Sequence, residues 1–231
     1  MPQERTIYIV NGSIASWQVL ITLSEKGLSF DPKRVRVMRA DPETRTPEFL
    51  ALNPRGQVPL LVEPDGTKIN ESLAILHYLE LCYPTPSLLP TQENRQEYAN
   101  AIAWIQEAET FACAYEPIEH FFLKKSSEMN NEEKAEIKKA IFAVNFDLSL
   151  WEERASKHTF IAGELFTLAD CSFYPTIAYL MHRGLLLDGF PNLIEYELRV
   201  RERYSVRSAR PEGWLYDRTS KPNLFQLAKI L

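Results

Sequence analysis

Along the first third of the chain the apolar positions change period every few residues; beyond residue 90 they settle into helical spacing. Thr6–Val10 (TIYIV) is β-branched and aromatic and predicts a strand. Ile14–Lys26 carries Trp17, Leu20, Ile21 and Leu23 at helical spacing. Lys33–Met38 alternates and predicts a second strand, and Thr46–Leu52 a short helix with Pro47 in its tolerated first turn. Val58–Val62 and Thr67–Ile69 flank Glu63-Pro64-Asp65-Gly66, a tight-turn signal that predicts a β-hairpin. A helix follows from Asn70, with an apolar stripe through Leu73, Leu76 and Leu79. The predicted order over residues 1–83 is β-α-β-α-β-β-α.

The segment from Tyr83 to Pro90 holds Pro84, Pro86 and Pro90, breaks the periodicity and reads as a linker. Residues 91–231 then read as an all-helical domain. Asn94–Phe111 places Tyr98, Ile102, Ile105 and Ala108 on one face. Asn131–Ser156 steps through Ile137, Ile141, Val144, Leu148 and Trp151, and Thr167–Arg183 and Pro191–Tyr204 add two more helices. The fold class is therefore α/β followed by all-α, as a mixed domain and a helical bundle.

Composition narrows the function classes. A net charge of −5 argues against nucleic acid as a partner, and Lys124-Lys125 and Lys138-Lys139 are isolated doublets. No stretch reaches the apolar length of a membrane span, and the amino terminus lacks a secretory signal. Cys82, Cys113 and Cys171 form no CxxC pair, which suggests neither a disulfide framework nor a zinc site. The expected compartment is the cytoplasm. His77, His120, His158 and His182 are scattered, so neither a Ser-His-Asp triad nor a Cys-His pair assembles.

Four places carry more than folding information. Pro59 opens a strand within NPRGQVP; it is either a plain edge-strand proline or a cis proline that turns the Val58 N–H and C=O outward toward an extended peptide. Asn70-Glu71-Ser72 starts a helix whose N–H groups and serine hydroxyl suit a carboxylate, with Glu71 suited to an ammonium group; helix capping by Asn70 or Ser72 is the competing reading. In Asn11-Gly12-Ser13-Ile14-Ala15-Ser16 a hydroxyl at a helix N-terminus suits a thiolate, and Ser13 and Ser16 serve equally on physical grounds. Finally, Thr167 and Asp170 in TLAD form a capping box, which gives Asp170 a structural task, with Phe166 stapled against Cys171.

In this order, NPRGQVPLL, INESLAILHYLE and TLAD resemble the cytosolic glutathione transferases over nearly the whole chain. Among the classes, the rho class is most similar, through NPRGQVP, NES, WEERASKHTFIAGELFTLADCSFYPTIAYL and RYSVRSARPEGW. The resemblance implies a thioredoxin-like first domain with a cis Pro59. It implies that Gln57 and Val58 hold the glycyl carboxylate and cysteinyl backbone of glutathione, and that Glu71 and Ser72 hold its γ-glutamyl end. Ser13 would stabilise the thiolate, with Ser16, Asn11 and Tyr8 as rivals, because Ile14, Ala15 and Ser16 stand where rho-like sequences carry prolines and a cysteine. With no cysteine at the thiolate position, a mixed-disulfide chemistry is not expected.

The implied activity is conjugation of glutathione, as co-substrate and without a metal, to hydrophobic electrophiles in detoxification. The electrophile is expected between the Ser13–Ser16 loop and the helix bearing Trp104, Phe111 and Tyr115, with Ser16, Phe111 and Tyr115 as pocket walls. A homodimer is expected by resemblance. A non-catalytic carrier of glutathione or hydrophobic ligands is the alternative.

Overall fold

A central strand, β1 (Thr6–Ile9), organises the first half of the protein. Its alternation sends Ile7 and Ile9 into the core and leaves Thr6 and Tyr8 half-buried. The computed structural model describes residues 4–37, 40–124, 126–214 and 225. β1 lies between β2 (Asp31–Arg34), parallel to it, and β3 (Leu60–Val62), antiparallel; β4 (Lys68–Asn70) pairs antiparallel with β3. The sheet order is β2-β1-β3-β4. The hairpin between β3 and β4 closes where expected, with Glu63 N–H donating to Thr67 C=O at 2.8 Å and Thr67 N–H to the Asp65 side chain at 2.8 Å.

β2 departs from the expected Lys33–Met38. Parallel pairing with β1 selects Asp31–Arg34, bracketed by Asp31 N–H to Arg5 C=O at 2.7 Å and Val35 N–H to Ile9 C=O at 2.9 Å. The strand is an edge, which is why Pro32 and the exposed Lys33 and Arg34 are tolerated there. The alternation of Val35 and Val37 continues past the ladder, and Met38 lies outside the described residues.

Among the described residues, four α-helices complete this unit. α1 (Ile14–Glu25) buries Trp17, Val19, Ile21 and Leu23 and packs on α3 (Ser72–Cys82) and α8 (Tyr204–Ala209). α2 (Pro47–Leu52) starts at Thr46, whose side chain accepts from Phe49 N–H at 3.3 Å. α8 corrects the expected boundary, under which everything after residue 90 belonged to the helical domain. The compact units are Met1–Leu89 with Arg203–Gly213, and Pro90–Glu202 with Trp214–Leu231. Residues 203–213 join the first unit because Glu25 accepts a two-pronged ion pair from Arg203, at 2.9 and 2.8 Å, and a hydrogen bond from Ser205. Pairing across so long a separation leaves no trace in local periodicity.

The linker is held to the first unit by buried charge. Lys26 forms an ion pair with Glu80, both buried, and donates to Tyr83 C=O at 2.9 Å and Pro86 C=O at 2.7 Å. Glu80 in turn accepts from the Ser87 hydroxyl at 2.8 Å and from Leu88 N–H at 3.0 Å. A buried pair so fully hydrogen-bonded fixes the path of residues 83–88.

The second unit is helical. It contains α4 (Arg95–Tyr115), α5 (Asn131–Ala155), α6 (Leu168–His182) and α7 (Pro191–Arg201). Its core gathers on Phe173 of α6, which stacks on Trp151 of α5 at 4.0 Å and meets Tyr196 of α7 at 5.8 Å and Phe111 of α4 at 6.1 Å. α6 is nucleated as TLAD predicts: Asp170, fully buried, accepts from Ile161 N–H at 3.0 Å, Thr167 N–H at 2.8 Å and the Thr167 hydroxyl at 3.1 Å. Burial nevertheless outweighs these bonds and raises its carboxyl to about 6.

Lys26→Ala removes the ion-pair partner of the buried Glu80, and is expected to lower the unfolding free energy by about 3 kcal/mol in urea titration. For Asp170 the folded-state pKa lies above the unfolded one. The folded protein therefore keeps a proton that the unfolded chain releases near 4, and this contribution to stability is lost as pH rises from about 4 through about 6. The stability of wild type relative to Asp170→Asn is expected to fall across that interval by up to about 3 kcal/mol, measured by denaturant unfolding at each pH.

Candidate functional site

The register of the sheet brings three separate stretches to one edge. Tyr8 of β1 pairs with Leu60 of β3, and Leu60 pairs on its other side with Asn70 of β4. The end of β1, the start of β3 and the end of β4 therefore lie side by side. The chain leaving or entering at those ends is Asn11–Ser13, Gln57–Pro59 and Glu71–Ser72.

On the first stretch, Gly12 takes a φ of 85° and turns the chain into α1. Ser13 is the N-cap of α1, half-buried, and its oxygen accepts from Ser16 N–H at 3.1 Å. That bond uses a lone pair and leaves the hydroxyl hydrogen for an anion at the helix N-terminus. The three rivals have other tasks. Ser16 is 2% exposed and its oxygen accepts from Val10 N–H at 3.4 Å, closing the turn from inside. Asn11 exchanges hydrogen bonds with the backbone of Glu212, accepting at 2.9 Å and donating at 3.3 Å. Tyr8 sets its ring edge-on to Phe49 at 5.6 Å.

On the second stretch the Val58–Pro59 bond is cis. Pro59 is buried, Val58 half-buried and Gln57 exposed. The loop before them is tight: Gly56 has a φ of 61°, and a Cβ there would sit 2.7 Å from Thr44 C=O. On the third stretch neither Asn70 nor Ser72 caps α3. The N-cap is Glu71, with a φ of 66° and no side-chain capping bond, and Ser72 is the first residue of the helix. The leading N–H groups of an α-helix have no intrahelical acceptor, so this start can receive a carboxylate. The Glu71 carboxylate is exposed, with the Arg55 guanidinium 3.8 Å away.

One residue that the motif reading passed over ties these stretches together. Asn53 is 2% exposed, and its side chain donates to Gln57 C=O at 2.8 Å while accepting from Arg55 N–H at 3.1 Å and from the Asn70 side chain at 3.2 Å. An Asn-Pro pair reads locally as a turn, so the only signal was its place at the head of NPRGQVP.

A cleft of about 480 Å³ opens beside Ser13, within the same unit. Its walls include Ser13, Trp17 and Leu20 of α1, Phe30, and Tyr204 and Ser208 of α8. This volume suits a small organic molecule. Near Ser13, residues 210–213 are clasped by Asn11 and by the Arg34–Glu212 ion pair at 2.6 Å.

Two expected pocket walls are core residues instead. Phe111 is 1% exposed against Phe173, and Tyr115 is 3% exposed with its ring 5.6 Å from Tyr179. Burial pushes the Tyr115 phenol far above its usual range. Their four-residue spacing on α4 serves contact with α6. Trp104 lies under the Arg154 guanidinium at 4.9 Å. Ser16 does line the cleft, but with its oxygen committed to Val10.

Two family models match the chain: Glutathione S-transferase, N-terminal domain, over residues 12–81, and Glutathione S-transferase, C-terminal domain, over residues 147–199. The chain is 30% identical over 223 residues to Glutathione S-transferase A of Pleuronectes platessa, covering 93% of this chain and 95% of that one. It is 28% identical to maleylacetoacetate isomerase of Pseudomonas aeruginosa, covering 81% and 86%. A glutathione S-transferase structure from the Antarctic clam Laternula elliptica superposes with a TM-score of 0.80 at 27% identity, covering 99% and 100%.

Proposed function

We propose that this chain, which belongs to the glutathione S-transferase family, joins the thiolate of glutathione to hydrophobic electrophiles, with Ser13 stabilising the thiolate. The observation that carries this reading is the convergence of Ser13, the cis Val58–Pro59 bond and the Glu71-Ser72 helix start on one edge of the sheet. Glutathione lies extended along that edge. Its cysteinyl backbone pairs with Val58, its glycyl carboxylate faces Gln57, and its γ-glutamyl carboxylate meets Ser72 and the N-terminus of α3. The γ-glutamyl ammonium faces the Glu71 carboxylate.

The sulfur comes to the N-terminus of α1, where the Ser13 hydroxyl donates to it. A free thiol has a pKa near about 8.5, and a donated hydrogen bond with a helix N-terminus favours the anion. The thiolate attacks an electrophilic carbon; a C–S bond forms and the leaving group departs with the electron pair. The cleft along α1 holds the body of the electrophile, with Leu20, Phe30 and Tyr204 as its apolar surface. Rate comes from placing the two reactants together and from a donor set in advance at the sulfur.

The family also includes isomerases by name, as the Pseudomonas aeruginosa relative shows. The rho class, a role in detoxification and a homodimer belong to the same proposal and rest on the resemblance, and a cytoplasmic setting belongs to it on the pattern of the sequence.

Conjugation of glutathione to an aryl halide tests it, with Ser13→Ala and Ser16→Ala beside wild type. Ser13→Ala is expected to lose about 100-fold in kcat, to bind glutathione as before, and to shift the pH midpoint of the rate upward. Ser16→Ala is expected to keep the midpoint and to lose about 1 kcal/mol of stability, since Val10 N–H is left unmet. Full turnover in Ser13→Ala would move the thiolate elsewhere. Glutathione binding without turnover of any electrophile would favour the carrier.

A further inference from the structure

The two binding stretches on β3 and β4 are separate loops in sequence, yet one amide side chain holds both. We propose that Asn53 is a positioning residue that couples the Gln57-Val58 arm of the glutathione site to the Glu71-Ser72 arm, so that each is ready for its own end of the tripeptide. The proposal rests on the glutathione reading above.

The geometry leaves the amide one orientation. Arg55 N–H needs an acceptor and Gln57 C=O needs a donor, so Oδ1 faces the first and Nδ2 the second, and the Asn70 amide then donates to Oδ1. The backbone of Asn53 is engaged as well: its N–H donates to Phe49 C=O and its C=O accepts from Gly56 N–H, each at 2.9 Å. Asn53 is thus fixed to the end of α2 and to both ends of the 53–57 loop. The loop cannot relax away from it, because Gly56 is packed against Thr44.

Through Nδ2, Asn53 sets the carbonyl of Gln57, and with it the peptide plane that leads into Val58. Through Oδ1, it sets Asn70, the last residue of β4. Asn70 precedes Glu71, whose φ of 66° is a conformation that a non-glycine residue holds only when its surroundings fix it. Asparagine suits this joint because it has a donor and an acceptor on one short, planar group. Aspartate would turn a carboxylate oxygen on the Gln57 carbonyl, serine has a single oxygen to offer, and alanine would take the Asn53 partner from Gln57 C=O, Arg55 N–H and the Asn70 side chain at once.

Nothing in this linkage reaches the sulfur, since Ser13 stands on the β1–α1 turn. A fault in the joint therefore appears in affinity and leaves the reactivity of bound thiolate intact.

The test is glutathione affinity by titration, together with kcat at saturating glutathione and the pH midpoint of the rate, for wild type, Asn53→Ala, Asn70→Ala and the double variant. Asn70→Ala removes the inter-arm bond from a half-buried site and keeps the hold on Gln57, so it remains a fair test if Asn53→Ala folds poorly. Asn70→Ala is expected to weaken glutathione binding about tenfold with kcat and the pH midpoint unchanged. The double variant is expected to bind no worse than Asn53→Ala, because the bond that Asn70 makes is already gone. Wild-type affinity in Asn70→Ala, losses that simply add in the double variant, or kcat falling in step with affinity would each overturn the coupling. If wild type itself takes up no glutathione, the glutathione reading falls, and this proposal with it.

Discussion

The pairing of Leu60 with Tyr8 on one side and Asn70 on the other is the constraint from which the candidate site follows. β3 has only three residues, so no slack exists to absorb an error in register. Leu60 and Leu61 point to opposite faces and both are buried, so a slip by one residue would exchange the two sides they fill and lose the packing of each. The same slip would carry Pro59 away from Ser13 and Glu71 away from Val58. Burial of two leucines thus fixes where the polar groups at these strand ends converge.

Around that register the first unit is braced by polar contacts between distant residues. Lys26 and Glu80 pin the linker to α1 and α3, and Glu25 holds Arg203 and Ser205 so that α8 lies on α1. α1 is buried on most sides, and its half-buried Leu20 and Ser24 line the cleft together with the buried Ser16 and Trp17. The helix that presents Ser13 therefore also forms a wall of the space into which a second reactant would fit. The ion pair at Glu25 then has two consequences: it completes the packing of α1, and it sets one side of that space.

Most of the first unit was legible because its signals are local. The alternation in TIYIV, the Asp65-Gly66 turn, the threonine cap at Thr46 and the apolar steps of α1 and α3 each act within a few residues. What escaped the sequence acts at a distance. β2 was displaced because a parallel edge strand takes its register from β1 and not from its own alternation. The place of residues 203–213 in the first unit has no local signal, because Glu25 and Arg203 are 178 positions apart. Phe111 and Tyr115 show a further limit, since an aromatic pair at helical spacing has the same pattern whether it faces a ligand or a neighbouring helix. The proline and Glu-Ser motifs stood out, whereas Asn53, which joins them, carries an ordinary turn signature.

The separation of Ser13 from the two β-arms explains how the site can keep its form with Ile14 and Ala15 after the serine. Ser13 is placed by backbone: Gly12 turns the chain, Ser13 N–H donates to Val10 C=O at 3.3 Å, and Ser13 C=O accepts from Trp17 N–H at 3.0 Å. Its hydroxyl is then aimed by Ser16 N–H. None of these contacts uses the side chains of residues 14 and 15, so their identity is free to vary while the hydroxyl stays at the head of α1. The two arms, by contrast, depend on a side chain, because the Asn53 amide holds both Gln57 C=O and Asn70. The tolerant part of the site is therefore the turn that bears the hydroxyl, and the exacting part is the joint at Asn53.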